Sequence, residues 1–273
     1  MNLLTVNDLS FQREGYFAFK HVTFSLSQKE SISITGDNGS GKTALLETLV
    51  GLNFPDSGQA RYGAGVRIAF MPQIETEVVQ EPVRDYLEIR RQATGELGVS
   101  NAQLKDLTSF MGMSPYLDHP VDTLSRGLSQ RLSFLLAVCQ RPNVLILDDP
   151  FSFQNSFYAH QMVEIFQDLK EHGAGIIVAG SIKDTTLSDE FDSKYLLQQK
   201  SLSPVQTGRG QNYLLAFKAT SDSMAITKEL GQYVTGTFDG QIQLRVSYNQ
   251  KETILKAMLE MNYLFEGMVD LEV

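Results

Sequence analysis

The stretch Gly36-Asp37-Asn38-Gly39-Ser40-Gly41-Lys42-Thr43 decides how this sequence folds. It matches the pattern G-x-x-x-x-G-K-[ST], in which glycines let the backbone turn tightly and aim its N–H groups at phosphate oxygens. An apolar strand candidate, Ser31–Thr35, precedes the loop, and residues 44–50 form a good helix start whose N-terminus adds partial positive charge. We therefore predict a phosphate-binding loop, with all eight residues and Ala44 as candidate phosphate contacts.

The end of this loop and a later strand carry the side chains expected of a nucleoside triphosphate site. Lys42 is placed to reach the β- and γ-phosphates, and Thr43 to hold Mg²⁺. Such a loop needs an acidic partner at the end of a neighbouring strand, and the apolar run at residues 144–147 ends in Asp148 and Asp149. We predict that Asp148 orients the Mg²⁺ shell and that Asp149 is the base for an attacking water.

Composition limits the classes of protein that this chain can be. Its 273 residues are 42% hydrophobic, which is enough for a large core with a small second domain. The single cysteine, Cys139, excludes an internal disulfide and fits a reducing compartment. A net charge of −9 argues against a general nucleic-acid binder, so no nucleic-acid partner is expected. No stretch approaches the roughly 20 apolar residues of a membrane span.

Short apolar runs alternate with helical patterns through about residue 205. Unbroken apolar runs are typical of strands that are covered on both faces. The strand candidates are residues 31–35, 65–70, 144–147 and 176–179. Residues 3–9 and 22–26 alternate in polarity, which predicts an antiparallel edge, while residues 78–140 favour helices. The sequence therefore predicts an α/β core with an antiparallel β subdomain and a helical subdomain.

A change in composition near Ser203 to Gly210 indicates a linker, and we place a domain boundary between residues 206 and 207. The segment after it has its own order of elements, βαββαβ, which predicts a small ferredoxin-like α+β domain. In order, these are strand 213–217, a helix that Asp222 caps and that runs to Gly231, strands 233–238 and 241–247 around Asp239-Gly240, a helix with Ile254, Met258 and Met261, and strand 264–271.

Three further motifs follow the phosphate loop in a fixed order. They are Phe70-Met71-Pro72-Gln73, Leu124-Ser125-Arg126-Gly127-Leu128-Ser129-Gln130-Arg131 and Asp149-Pro150-Phe151-Ser152. With the loop, they make residues 1–205 resemble the ATP-binding subunit of ABC transporters. The first resembles the glutamine loop of that family, the second its signature motif and the third the stretch after its catalytic carboxylate. The resemblance implies an ATPase that uses ATP and Mg²⁺, with Gln73 sensing the metal and the attacking water.

The signature motif makes physical sense in two chains. Ser125 and the backbone at Gly127 would begin a helix, and a helix N-terminus is an anion site. In the family this N-terminus faces the γ-phosphate held by the other subunit. The resemblance therefore implies a homodimer or heterodimer of ATP-binding subunits, which ATP holds together and hydrolysis releases.

The sequence departs from the family pattern on the side that activates water. Asp149 replaces the usual glutamate and is shorter by one carbon–carbon bond, about 1.5 Å. The histidine that the family places after the next strand is absent: its position falls on Ser181 or Ile182. Asn155 stands where the family often has an aspartate. Two interpretations remain, a slow ATPase with Asp149 as base, or a subunit that binds ATP and hydrolyses it weakly.

Other departures concern the signature motif and the adenine site. Arg126 and Leu128 replace a glycine and a glutamine of the signature. A long cation at an anion site costs little, whereas nothing in the sequence accounts for Leu128. The spacing of the family's adenine-stacking aromatic points to Arg13, whose guanidinium plane can stack on a base, and Phe11 is the alternative.

The resemblance implies a cytoplasmic subunit, peripheral on the inner face of the cell membrane, that energises a separate integral-membrane permease. By analogy with export ATPases, a single-domain subunit with a short helical region and a small C-terminal appendage favours export. Two alternatives stay open. One is a soluble, non-transport ABC ATPase, although such proteins usually carry two nucleotide domains or a long insertion. The other is a nucleotide-sensing module with residues 207–273 as its regulatory or dimerising output.

Overall fold

The computed structural model describes residues 1–73, 79–180, 187, 190–205, 212–238, 240–247 and 250–271. The chain divides into two compact units, Met1–Val205 and Gln206–Val273. The sequence-based boundary lies one residue from this division, and residues 206–210 of the expected linker lie outside the described residues.

The described residues form the following α-helices and β-strands, given in chain order. They are β1 (Asn2–Arg13), β2 (Tyr16–Ser27), β3 (Ser31–Thr35), α1 (Lys42–Leu49), β4 (Ser57–Tyr62), β5 (Ile68–Met71), α2 (Val83–Ala93), α3 (Asn101–Phe110), α4 (Arg126–Val138), β6 (Val144–Asp148), α5 (Ser156–Glu171), β7 (Gly175–Ala179), β8 (Ser193–Gln198), β9 (Ser201–Pro204), β10 (Asn212–Lys218), α6 (Lys228–Gly231), β11 (Val234–Phe238), β12 (Gln241–Ser247), α7 (Lys251–Glu260) and β13 (Leu264–Leu271).

A six-stranded sheet forms the centre of the first unit, in the order β5-β6-β7-β3-β8-β9. The first five strands are parallel, and β9 runs antiparallel to β8. Along β6, Val144 and Ile146 face one core cluster while Leu145 and Leu147 face the other. Both faces of this strand are therefore covered, as its unbroken apolar run predicts. The α/β core that the sequence predicts is confirmed.

A separate antiparallel sheet has the order β2-β1-β4. Its first two strands form a hairpin that extends from the predicted residues 3–9 and 22–26 to Arg13 and Tyr16, which pair at its end. Strand β4 has no counterpart in the sequence prediction, because four of its six residues are exposed and it carries no apolar alternation. This sheet and helix α1 share one core cluster with β3, β6 and β7, so the hairpin lies close to the phosphate loop.

Helices α2, α3 and α4 occupy the region where the sequence predicts a helical subdomain. Helix α2 begins directly after Pro82, and Ser100 caps α3 in a capping box with Gln103. Their buried side chains, including Leu87, Leu104 and Leu132, join α5 and one face of the central sheet in a single core cluster. This packing holds the start of α4, where the signature motif lies, against the sheet that carries Asp148.

In the second unit, a four-stranded antiparallel sheet has the order β11-β12-β10-β13, with α6 and α7 between its strands in the chain. The element order is βαββαβ, and its own core includes Phe217, Leu244 and Met258. Among the described residues, no helix in either unit is long and apolar enough to cross a membrane.

Two predicted element boundaries are wrong. The helix expected from Asp222 is only four residues long and begins after Thr227, whose side chain accepts from the Leu230 N–H. Asp222 lies instead in a turn, because Thr220 and Ser223 donate to the Asn262 carbonyl and hold this segment. The strand expected at residues 65–70 begins at Ile68, after a turn with Gly65 at a φ of 74°. Asp239 of the expected hairpin lies outside the described residues.

A polar cluster ties α5 to the start of β3 and to the residue before β8. Lys170 Nζ lies 2.6 Å from Asp192 Oδ2 and 3.1 Å from Ser31 Oγ, and the Ser31 N–H and hydroxyl both donate to Asp192. Burial raises the pKa of Asp192, but the hydrogen bonds from Lys170 and Ser31, together with the Lys170 charge, outweigh it and lower the pKa overall. The ionised carboxylate therefore stabilises the folded state.

Asp192→Ala is expected to lower the free energy of unfolding at pH 7 by about 1–2 kcal/mol, a moderate value because Asp192 is partly exposed. A carboxyl whose folded-state pKa is lowered stabilises fully above its ordinary pKa of about 4 and loses that effect as the pH falls through the folded-state value. Chemical denaturation at several pH values should show the variant and the parent converge below about pH 4. Asp168→Ala, which removes an exposed carboxylate beside His172, should change the stability little.

Candidate functional site

The phosphate loop connects β3 to the N-terminus of α1. Gly41 precedes α1 with a φ of 105°, and a Cβ at this position would lie 2.4 Å from the Ala18 carbonyl oxygen. Only glycine fits this turn and this close approach. Lys42 Nζ donates to the carbonyl oxygens of Gly36, at 2.7 Å, and Asp37, at 2.9 Å. The ammonium group is therefore folded back across the loop, where it can meet phosphate oxygens.

Thr43 and Asp148 meet where α1 begins and β6 ends. The Thr43 hydroxyl donates to Asp148 Oδ2 at 2.6 Å, and Asp148 is 2% exposed. Burial is the main cause that raises the pKa of Asp148, and the Thr43 hydrogen bond and the Lys42 charge offset only part of it. A buried carboxylate of this kind is stabilised by a nearby cation. Hydroxyl and carboxylate oxygens are hard ligands that suit Mg²⁺.

A cleft of about 430 Å³ opens above these residues. It brings together most of the residues that the sequence predicts for the site. Its lining consists of Arg13, Ala18, Asn38, Gly39, Gly41, Lys42, Thr43, Ala44, Gln73, Asp148, Asp149 and Gly180. Gly36, Asp37 and Ser40 complete the backbone of the loop without lining the cleft. Ser125 and Gly127 do not line it; they lie at the N-terminus of another helix.

Asp149 sits in a sharp turn after β6. Its φ is 52°, a left-handed conformation, and its N–H donates to the Ala179 carbonyl at 2.6 Å. Ser152 Oγ donates to Asp149 Oδ2 at 2.5 Å. The carboxylate thus lines the cleft beside Asp148 in one held orientation, which suits a residue that accepts a proton there.

Gln73 follows β5 on the same edge of the sheet. Its side chain lines the cleft and is exposed, because β5 and β6 are parallel neighbours whose carboxyl ends meet at this edge. Residues 74–78 lie outside the described residues. The predicted position of Gln73 near the metal and the attacking water is compatible with this placement.

The two candidates for adenine stacking lie in different surroundings. Phe11 packs against Phe19 with ring centroids 6.1 Å apart and lies partly buried against the core cluster of the antiparallel sheet, and it does not line the cleft. Arg13 lines the cleft, and its Nη2 lies 3.2 Å from Glu47 Oε2. Glu47 also accepts from Asn53 Nδ2 at 2.8 Å. We therefore prefer Arg13 to Phe11 as the proposed stacking residue, because the Phe11 ring is used in packing.

Arg13→Ala is expected to weaken ATP binding about 3- to 10-fold, because stacking of a cation on an exposed ring contributes about 0.5–1 kcal/mol or somewhat more. Titration calorimetry with ATP measures this effect. The affinity for inorganic triphosphate, which has no base, should not change. Phe11→Leu should leave the affinity for ATP as it is, and an equal loss in that variant would contradict the assignment.

The signature segment begins α4 with a regular cap. Ser125 Oγ accepts from the Leu128 N–H at 3.4 Å. Leu128 is 9% exposed and lies in the core cluster of the helical region, which accounts for an apolar residue in this position. The Arg126 guanidinium lies 5.5 Å from the centroid of the Phe153 ring. Both departures from the signature thus have partners within the chain.

The other two departures from the family pattern are Asn155 and the absent histidine. Asn155 caps α5, since its side chain accepts from the Tyr158 N–H at 3.0 Å. None of the four histidines lines the cleft. Ser181 and Ile182, where the family's histidine is expected, lie outside the described residues.

Sequence reasoning missed several residues of the site. Glu47 holds Arg13, Ser152 holds Asp149, and Ala18 and Gly180 complete the wall of the cleft. Glu47, Ala18 and Gly180 contribute because elements distant in sequence meet at the cleft, and a sequence pattern carries no signal for that. Ser152 stands within a quoted motif, but its hydrogen bond to Asp149 is visible only in the folded turn.

The sequence profile of the ABC transporter family matches residues 19–152. An uncharacterised ABC transporter ATP-binding protein of Haemophilus influenzae is 28% identical over 179 residues, which are 64% of this chain and 75% of that protein. A putative HMP/thiamine import ATP-binding protein of Bacillus subtilis, YkoD, is 28% identical over 86% of this chain and 46% of its own length. The translational throttle protein EttA of Mycobacterium tuberculosis is 28% identical over 54% of this chain and 27% of its own length.

Solved structures share this fold over about three quarters of the chain. The ATP-binding subunit of an ABC transporter superposes with a TM-score of 0.67 at 22% identity, over 76% of this chain and 92% of its own. A dimeric ATP-binding cassette bound to ADP and phosphate superposes with a TM-score of 0.63 at 17% identity, over 75% of this chain and all of its own. With the phosphate loop and the Thr43–Asp148 pair in place, these matches show that the chain contains an ATP-binding domain of the ABC transporter family, a family of ATPases.

Proposed function

We propose that this chain is the ATP-hydrolysing subunit of a transporter whose membrane-spanning permease is a separate chain. One observation carries the proposal: a single cleft holds Lys42, the Thr43–Asp148 pair and Asp149 at the carboxyl ends of parallel strands. The transport names of several relatives support the link to a permease. Because the chain spans about half the length of YkoD and about a quarter of that of EttA, their activities as whole proteins come to it only as proposals.

The cleft fits ATP together with Mg²⁺. The loop N–H groups and Lys42 bind the phosphates, and Arg13 stacks on the base. Thr43 and Asp148 would hold Mg²⁺, the first directly through its hydroxyl and the second through the shell around the ion, with Gln73 as a further oxygen donor. When bound, the ion neutralises charge that develops on the phosphate oxygens.

Asp149 is the proposed base. It accepts a proton from water as the water oxygen forms a bond to the γ-phosphorus, and the bond between that phosphorus and the ADP oxygen breaks. General-base catalysis typically contributes about 10²- to 10⁴-fold. The hydrogen bond from Ser152 fixes the direction of the Asp149 carboxylate, so this short side chain presents one oxygen to the cleft.

A second ATP-binding subunit completes each site in this proposal. Ser125 and Gly127 lie at the N-terminus of α4 and outside the cleft of their own chain, so they are free to meet phosphate bound elsewhere. The dimeric cassette among the structural neighbours supports such an arrangement by analogy of fold. The partner is a second copy or a related subunit, and the pair works at the inner face of the cell membrane.

The comparisons do not support the direction of transport that the sequence favours. The export expectation rests on the short helical region and the small C-terminal appendage, and the comparisons give it no support. Several relatives are named as import proteins, among them YkoD, which matches 86% of this chain. Import is therefore at least as well supported as export, and the permease decides the transported substance.

Detergent co-purification tests the proposal. The tagged chain, expressed in its own cells at native level, should retain one polytopic membrane protein after the membranes are dissolved. The similarity to EttA favours one competing function, that of a soluble ABC ATPase that acts in translation. Recovery of the chain with ribosomes and with no membrane protein would support that alternative and overturn the transporter proposal.

A further inference from the structure

Gln130 is a buried polar side chain that the proposed mechanism does not use. It lies in the second turn of α4 and is 2% exposed. Its Nε2 donates to the backbone carbonyl oxygen of Asp149 at 2.8 Å, across 19 positions of sequence. The bond joins the helix that begins at the signature motif to the turn that carries the proposed base.

The backbone of Asp149 needs such support. A residue other than glycine in the left-handed region stores strain, and it stays there only where its surroundings determine the conformation. The Asp149 N–H is bound to Ala179, and its carbonyl oxygen accepts from both the Ser152 N–H, at 3.1 Å, and Gln130. Of these partners of Asp149, only Gln130 belongs to α4.

Further contacts pack the same turn against the first turn of α4. Gln154 Nε2 donates to the Gly127 carbonyl at 2.9 Å. A Cβ at residue 127 would lie 2.8 Å from the Phe153 carbonyl oxygen, so glycine allows this close approach. The Arg126 guanidinium covers the Phe153 ring. The start of α4 and the turn at residues 149–154 are therefore packed together as one unit.

We propose that Gln130 is a positioning residue, which holds the left-handed Asp149 and ties the direction of its carboxylate to the position of α4. The inference rests on the proposed role of Asp149 as base. The bond between Gln130 and Asp149 would also let binding at the start of α4 control hydrolysis. Whatever binds at Ser125 and shifts the start of α4 changes the position of the Asp149 carboxylate through Gln130, because the bond between them is short, buried and direct.

Gln130→Met tests the proposal, since methionine has a similar length and no hydrogen-bond donor. The kcat for ATP hydrolysis should fall about 10- to 100-fold, as expected for a misplaced catalytic group. The KM and the equilibrium affinity for ATP should stay within about twofold, because Gln130 does not line the cleft. Gln140→Met is the matched control: Gln140 follows α4, and its Nε2 donates at 2.8 Å to the Leu136 carbonyl oxygen of that helix, so kcat should not change.

A double variant separates positioning from general stability. In an Asp149→Asn background, Gln130→Met should cause no further loss, because its effect passes through the Asp149 carboxylate. An equal fractional loss in both backgrounds would overturn the positioning role. If Asp149→Asn alone leaves kcat unchanged, the proposed base is wrong instead. Should Gln130→Met fail to fold, Gln130→Asn, which keeps the amide but is shorter by about 1.5 Å, is measured in the same way with the same expected loss.

Discussion

Lys42→Ala is expected to lower ATP turnover by at least about 100-fold and to weaken ATP binding. Removal of one preorganised donor at a site of developing charge typically costs about 10²- to 10³-fold in kcat. Here the same ammonium group also spans the loop, through its bonds to the carbonyl oxygens of Gly36 and Asp37. Steady-state phosphate release and titration calorimetry with ATP measure the two effects.

Lys105→Ala provides the control for Lys42→Ala. Lys105 is exposed on α3 and does not line the cleft, so its removal changes the net charge by the same amount without touching the site. Turnover and affinity should match the parent. If Lys42→Ala keeps near-parent turnover while its melting temperature is also unchanged, the cleft is not where ATP is hydrolysed.

The central fold could be predicted because its signals are local. The strand Ser31–Thr35, the glycine-rich loop and the helix after it are consecutive in sequence, and the structure places them where the pattern predicts. The runs that became β6 and β7 are apolar throughout because both of their faces are buried. Such segments have only one way to remove their side chains from water.

Elements that depend on partners elsewhere in the chain were harder to predict. Strand β4 is mostly exposed and forms because β1 offers it a free edge, with Val6 opposite Ala60. The expected helix at Asp222 failed for a similar reason. Two hydroxyls there bind a carbonyl 39 and 42 positions away, and these bonds compete with the helix.

The same difference between local signals and long-range contacts applies to the candidate site. Lys42, Thr43 and Asp148 belong to motifs with fixed spacing, so the sequence identified them, and the structure brings all three together. Phe11 was a plausible stacking residue by spacing, but the hairpin turns its ring into the core. Gln130 stands in the signature segment as a polar residue on a helix, and only the fold shows that its amide reaches the Asp149 carbonyl.

Asp149→Asn is expected to lower kcat by about 10²- to 10³-fold while ATP still binds, since the amide cannot accept the proton of the attacking water. Asn keeps the size of the side chain and can still accept the Ser152 hydrogen bond, so the turn should stay folded. The control is Asp122→Asn, which changes an exposed carboxylate away from the cleft. Parent-like turnover in Asp149→Asn would remove Asp149 from the mechanism.

Asp149→Glu addresses whether the short carboxylate limits turnover. The Ser152 hydrogen bond holds the Asp149 carboxylate near its own turn, about 1.5 Å short of the reach of a glutamate. Because misplacement by about 1 Å can cost about 100-fold, we expect the longer side chain to raise kcat by about tenfold or more. The KM should change little, since Asp149 acts on water and not on the bound phosphates. An unchanged or lower kcat would show that the aspartate is already well placed, with Ser152 and Gln130 directing it at the water.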